Sequence, residues 1–87
     1  MATVWIPSTI RELTNGQSKL EVDGKTVAEV IRNIDLAYPG TWDVLVNDNA
    51  LRAGIIIAVD GTVDSRQLLQ PVHPDSEIHF VPAIFSG

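Results

Sequence analysis

Apolar and polar positions along this chain follow two periods, and each change of period marks a new element. Thr3-Val4-Trp5-Ile6 is β-branched and aromatic and halts at Pro7, which cannot donate to a ladder, so the spacing predicts a first strand. Lys19-Leu20-Glu21-Val22 alternates polar and apolar, as a half-buried strand does, and Asp23-Gly24 closes it. Between the two, Asn15-Gly16 suits positive φ, and the region reads as a hairpin with an extended loop over Ser8 to Gln17.

At Thr26 the period changes. Thr26-Val27-Ala28-Glu29 fits a capping box, in which the hydroxyl and the carboxylate satisfy orphan amides at a helix start. Val27, Val30, Ile31, Ile34 and Tyr38 then recur at helical spacing, with Glu29, Arg32 and Asn33 left to water, until Pro39-Gly40 stops the helix. Its single apolar stripe requires a sheet to lie against. No second amphipathic helix stands out, and Val44 to Ala50 reads as a short turn.

Ile55-Ile56-Ile57-Ala58-Val59 is a continuous β-branched run ended by Asp60-Gly61, as expected of a strand inside a sheet, and the turn leads toward Val63. Gln67 to Val72 offers apolar anchors without a clean period, and His73-Pro74-Asp75-Ser76 is turn chemistry. Glu77-Ile78-His79-Phe80-Val81 alternates again and carries the chain into its last residues. A helix between an N-terminal hairpin and later strands permits a parallel pairing of the first and last strands through a right-handed crossover. The expected architecture is therefore α+β: a β-grasp, with a mixed sheet curled around one main helix. The expected division is a β-grasp domain over 1–81 and a C-terminal tail over 82–87.

Composition narrows the chemistry. At 87 residues, 45% hydrophobic and 20% charged, the chain has the balance of one small soluble domain, without an apolar run long enough to span a bilayer. Met1-Ala2-Thr3-Val4 has no basic region leading into an apolar stretch, so the expected location is the cytoplasm. Cysteine is absent, which removes disulfides, thiolate nucleophiles, iron-sulfur clusters and cysteine-based zinc sites, so any sulfur chemistry must use sulfur brought from outside. A net charge of −5 disfavours nucleic acid and favours partners with basic surfaces, and it also keeps a small protein soluble.

Few side chains are arranged for catalysis. His73 and His79 lie six apart without a carboxylate cluster at metal spacing. Ser76, Ser86, His79 and Asp75 include the residue types of a nucleophilic triad, but nothing in their spacing brings base to nucleophile. Trp5 and Trp42 are expected as core and loop-anchor residues, and Arg52 and Arg66 are cations available to a terminal carboxylate or to a partner. The final run Phe80 to Gly87 is different: it ends on a residue without a Cβ, whose carboxylate stays accessible in any backbone conformation a narrow channel requires. Ile84 and Phe85 either finish the strand's packing or insert into a partner's groove.

Val4-Trp5-Ile6-Pro7, the Thr26 to Pro39 helix, Ile57-Ala58-Val59-Asp60-Gly61 and Asp75-Ser76-Glu77-Ile78 running into Val81-Pro82-Ala83 resemble the ubiquitin-like sulfur carriers. That family includes the small subunit of molybdopterin synthase, the thiamin sulfur carrier and the carrier of one route to cysteine. The resemblance covers essentially the whole chain and is specific in the tail. It implies that Gly87 is the modified residue, presented by Pro82, Ala83, Ile84, Phe85 and Ser86. An ATP-using activating enzyme would adenylate the terminal carboxylate, sulfur would replace AMP to give a thiocarboxylate, and an acceptor enzyme would consume it. The acceptor would resemble the molybdopterin synthase large subunit, thiazole synthase or cysteine synthase, and the Pro-Ala-aliphatic run lies closer to the cysteine route. The carrier would be no enzyme and bind no cofactor of its own. Ser86 departs from the family's terminal Gly-Gly; where a partner holds that position at positive φ, serine costs on the order of 1–3 kcal/mol. Two alternatives share the fold: a non-covalent interaction module, and a modifier joined to target lysines through the same carboxylate. An exposed edge strand also allows a symmetric homodimer.

Overall fold

The computed structural model describes residues 1–82. β1 (Ala2–Trp5) and β2 (Lys19–Val22) form the N-terminal antiparallel hairpin, with Val4 opposite Leu20. Their connection is not an open loop. Ser8–Thr14 winds into a 3-10 helix because Ile10 is buried in the core and Leu13 packs against it, and the helix ends on Asn15 at φ 55. Buried Thr14 donates its hydroxyl to the carbonyls of Arg11 and Gln17, which ties the turn down.

α1 (Val27–Ala37) buries Val27, Val30, Ile31 and Ile34, the stripe set by the 3.6-residue period. Thr26 Oγ1 accepts from the Glu29 amide at 3.2 Å, while the Glu29 carboxylate accepts from the Lys25 amide, one residue outside the expected box. After Pro39 the chain departs from the expected simple turn. α2 (Thr41–Leu45) makes a single helical turn, and β3 (Val46–Asn47) and β4 (Ala50–Leu51) form a small hairpin around Asp48 and Asn49 at φ 51 and 61. α2 is capped from a distance: Asp35 Oδ1 on α1 accepts from the Gly40 amide at 3.1 Å and the Trp42 amide at 2.9 Å.

β5 (Ile55–Val59), β6 (Thr62–Val63) and β7 (Glu77–Pro82) complete a five-stranded sheet of order β2-β1-β7-β5-β6. β7 lies in the centre, parallel to β1 and antiparallel to β5. Val4, Ile57, Val59 and Ile78 turn inward and join the α1 stripe in one core. This is the α+β β-grasp arrangement, with α2 added beside the main helix. The last described pair of the sheet joins Pro82 to Ile55.

Candidate functional site

Central placement of β7 gives it a neighbour on each side. β1 pairs with β7 only as far as Trp5 opposite His79; beyond that, Phe80, Val81 and Pro82 pair with Ile57, Ile56 and Ile55 of β5. The strand therefore extends past its pairing with β1. Ala83, Ile84, Phe85, Ser86 and Gly87 lie outside the described residues, so of the expected tail only Pro82 is placed.

The beginning of β7 is anchored by a polar cluster. Asp60 and Gly61 form the two-residue turn between β5 and β6, with φ 51 and 80, a conformation that favours these two residue types. The Asp60 carboxylate accepts from the Glu77 amide at 2.9 Å and from the Ser76 hydroxyl at 2.8 Å, and the Asp60 amide donates to the Glu77 carbonyl at 2.8 Å. The Glu77 amide, the Ser76 hydroxyl and the His73 charge hold the Asp60 carboxyl below the usual carboxylate range. Ser76 is buried and also accepts from the His73 amide. It is thus a structural hydroxyl, and of the notional triad Ser76 and His79 do not meet: Ser76 bonds Asp60 while His79 stacks on Trp5, and Ser86 lies outside the described residues.

The sheet face away from α1 carries the side chains that strand alternation leaves outward. Register places Lys19, Trp5, His79, Ala58 and Val63 in one row across all five strands. Trp5 is not a core residue: it is 38% exposed, because its neighbours Val4 and Ile6 take the inward positions. Its ring lies 5.8 Å from His79 at 12°, its Nε1 donates to the Glu77 carboxylate, and the Lys19 ammonium sits 5.6 Å from the ring centroid. Val81 follows on the same face, 38% exposed and opposite Ile56. Together these residues form an aromatic and aliphatic surface along β7 as far as Val81. Periodicity of Val4 and Ile6 carried the signal for an outward Trp5.

The remaining candidates have local roles. Trp42 is half-buried under the Arg32 guanidinium, 4.3 Å from its ring, and anchors α2 as expected. Arg52 Nε donates to the Asp43 carbonyl, and Arg66 pairs with Asp64, whose carboxyl is pulled down to about 2 by that guanidinium and by the Arg66 amide. Among the described residues no three His, Asp or Glu are grouped to hold a metal, and no helix is long and apolar enough to cross a membrane.

No curated protein sequence matches the chain. Among solved structures, it is similar over its whole length to a chain of the Amycolatopsis orientalis BexX/CysO complex, at 28% identity, 100% coverage of both chains and a TM-score of 0.91. It is similar to Mycobacterium tuberculosis CysO, described as an antigen, at 25% identity, covering 97% of this chain and 100% of that one with a TM-score of 0.88. Small archaeal modifier protein 1 of Methanosarcina acetivorans shares the fold, at 20% identity, 99% and 95% coverage and a TM-score of 0.75. The ThiS family model matches residues 4–87, from the first strand through the terminal glycine. A β-grasp sheet, matched by one family model over nearly the full length of the chain, places it in a family of small ubiquitin-like sulfur carriers: it belongs to the ThiS family.

Proposed function

We propose that this chain carries sulfur as a thiocarboxylate on Gly87. The observation that supports the reading is the family match running through residue 87, on a chain whose last strand is the central one of the sheet. A carboxylate is a poor electrophile until one of its oxygens becomes part of a leaving group. In the proposed cycle a Gly87 carboxylate oxygen attacks the α-phosphorus of ATP in the activating enzyme and pyrophosphate departs. A sulfide equivalent from a donor then attacks the acyl carbon, AMP departs, and the thiocarboxylate remains. Sulfur is more polarisable than oxygen, so the product is a strong nucleophile at neutral pH toward an electrophile held by the acceptor enzyme. The catalytic groups belong to those partners, in the cytoplasm, and this chain supplies the handle and the surface they grip. Pro82-Ala83-Ile84 supports a cysteine-synthase-like acceptor over the molybdopterin and thiazole types.

The docking surface in this reading is the outward sheet face. Trp5, His79 and Val81 lie on or beside β7, the strand that precedes residues 83–87 in the sequence, and a partner seated on them would grip the chain a few residues before Gly87. The occurrence of the Amycolatopsis relative in a complex with BexX supports docking onto a partner protein. Growth complementation tests the reading: in a strain lacking the chain, the Gly87-deleted form should fail while the full chain restores growth. Full restoration by the deleted form would refute it.

A further inference from the structure

β2 is an edge strand, and its sequence is complementary to itself. The Ile6 amide donates to the Ser18 carbonyl at 2.8 Å, and the Thr3 amide donates to the Ser76 carbonyl on the β7 side of the sheet at 2.9 Å. Antiparallel ladders alternate bonded and non-bonded pairs, so Val4–Leu20 and Ala2–Val22 face each other with their backbone groups, while those of Lys19 and Glu21 point out from the sheet edge. Among the described residues nothing pairs with this row, and such a row is a template for another strand.

We propose that the occupant of this edge is β2 of a second copy, in an antiparallel two-fold arrangement centred on Leu20. In that register Lys19 lies opposite Glu21 of the second copy, and Glu21 opposite its Lys19. The outward backbone groups of these residues make the bonded pairs, and two opposite charges meet on each side of the axis. Leu20 lies opposite its own copy in the non-bonded pair, where side chains approach most closely. Beside it a groove between β2 and α1, polar at Glu21, Asp23 and Asn33, has Leu20, Ile34 and Tyr38 on its apolar side. Shifting the register by one residue in either direction would lose the Lys19–Glu21 match and turn Leu20 against a charged position. The same arrangement joins two five-stranded sheets into one and leaves β7 of each copy two strands from the seam. The pairing involves β2 alone, so the inference stands whether or not Gly87 carries sulfur.

Sedimentation equilibrium on the full chain, up to about 1 mM, is the test, because an interface of one short strand lies below standard size and associates weakly. A monomer–dimer equilibrium is expected, together with slowed amide exchange at Lys19 and Glu21 as concentration rises. Lys19→Glu or Glu21→Lys alone sets like charges opposite each other twice and should weaken the dimer on the order of tenfold. The double exchange Lys19→Glu with Glu21→Lys restores opposite charges at both pairs and should recover it. Both side chains are exposed, and thermal melts of each variant verify folding. A strict monomer at the highest concentration, or a dimer indifferent to the single reversals, would overturn the proposal.

Discussion

Gly24, between β2 and α1, is where a single methyl group should do the most damage. A Cβ built there lies 2.6 Å from Val30 Cγ2 and 2.8 Å from the Val30 backbone nitrogen. Carbon atoms in good contact sit roughly 3.5–4.0 Å apart, so Gly24→Ala demands a displacement of about 1 Å. The side chain of Val30 could turn away, but its nitrogen is fixed in the first turn of α1, bonded to the Thr26 carbonyl at 3.0 Å. Helix and edge strand must therefore separate, a form of overpacking that costs about 1–3 kcal/mol, to which left-handed backbone adds about 1 kcal/mol. Gly16→Ala is the control: φ is +81 and nothing lies within 4 Å of the added methyl, so only the backbone cost applies. In a domain of this size each kcal/mol moves the melting temperature by about 4–8 °C, so Gly24→Ala should melt roughly 15 °C low and Gly16→Ala roughly 5 °C low. Differential scanning calorimetry reads both. Adding Val30→Ala should not rescue Gly24→Ala, because the obstacle is backbone. Equal losses in the two glycine variants, or rescue by Val30→Ala, would refute the reasoning.

Trp5→Ala should leave the melting temperature nearly unchanged and lower kcat/KM for activation by at least about thirtyfold, as truncation of an aromatic anchor of about 2 kcal/mol does; undiminished kcat/KM would remove Trp5 from the docking surface. Ser86→Gly, which restores the family's terminal pair, should raise the rate of adenylation by about tenfold, read as ATP–pyrophosphate exchange, and an unchanged rate would show that the partner does not require glycine there. Asp60 and Asp64 both have folded-state carboxyls below their ordinary value of 3.8, Asp64 at about 2. Their contribution is complete above the ordinary value and is lost as pH falls through the depressed ones, so thermal melts should weaken from about pH 4 toward pH 2. Asp60→Asn should melt lower at pH 7 and fall less steeply across that window; parallel curves would contradict the role given to the Glu77 amide and Ser76.

The main helix and the five-residue strand are legible from local pattern: the helical spacing of Val27, Val30, Ile31 and Ile34 in one case, the unbroken β-branched run of Ile55 to Val59 ended by Asp60-Gly61 in the other. α2 escaped because five residues are too few to repeat a helical period and its cap is Asp35, on a different helix. The Ser8–Thr14 helix escaped for a related reason, since burial of Ile10 is a tertiary fact. Trp5 was misplaced although the information was present: alternation that sends Val4 and Ile6 inward must send Trp5 outward. The link from Ser76 to Asp60 crosses 16 positions and nothing local announces it. The family pattern, by contrast, was carried by the chain's own residues from Val4 onward, and the family match over 4–87 agrees with it.

Intact-mass spectrometry of the chain isolated from its native cells tests the central claim most directly. The account predicts a fraction heavier by the exchange of one oxygen for sulfur, located at Gly87 by fragmentation and lost on alkylation with a thiol reagent to a defined adduct. A chain whose Gly87 carboxylate is unmodified under every growth condition, or found only in amide linkage to other proteins, would contradict it.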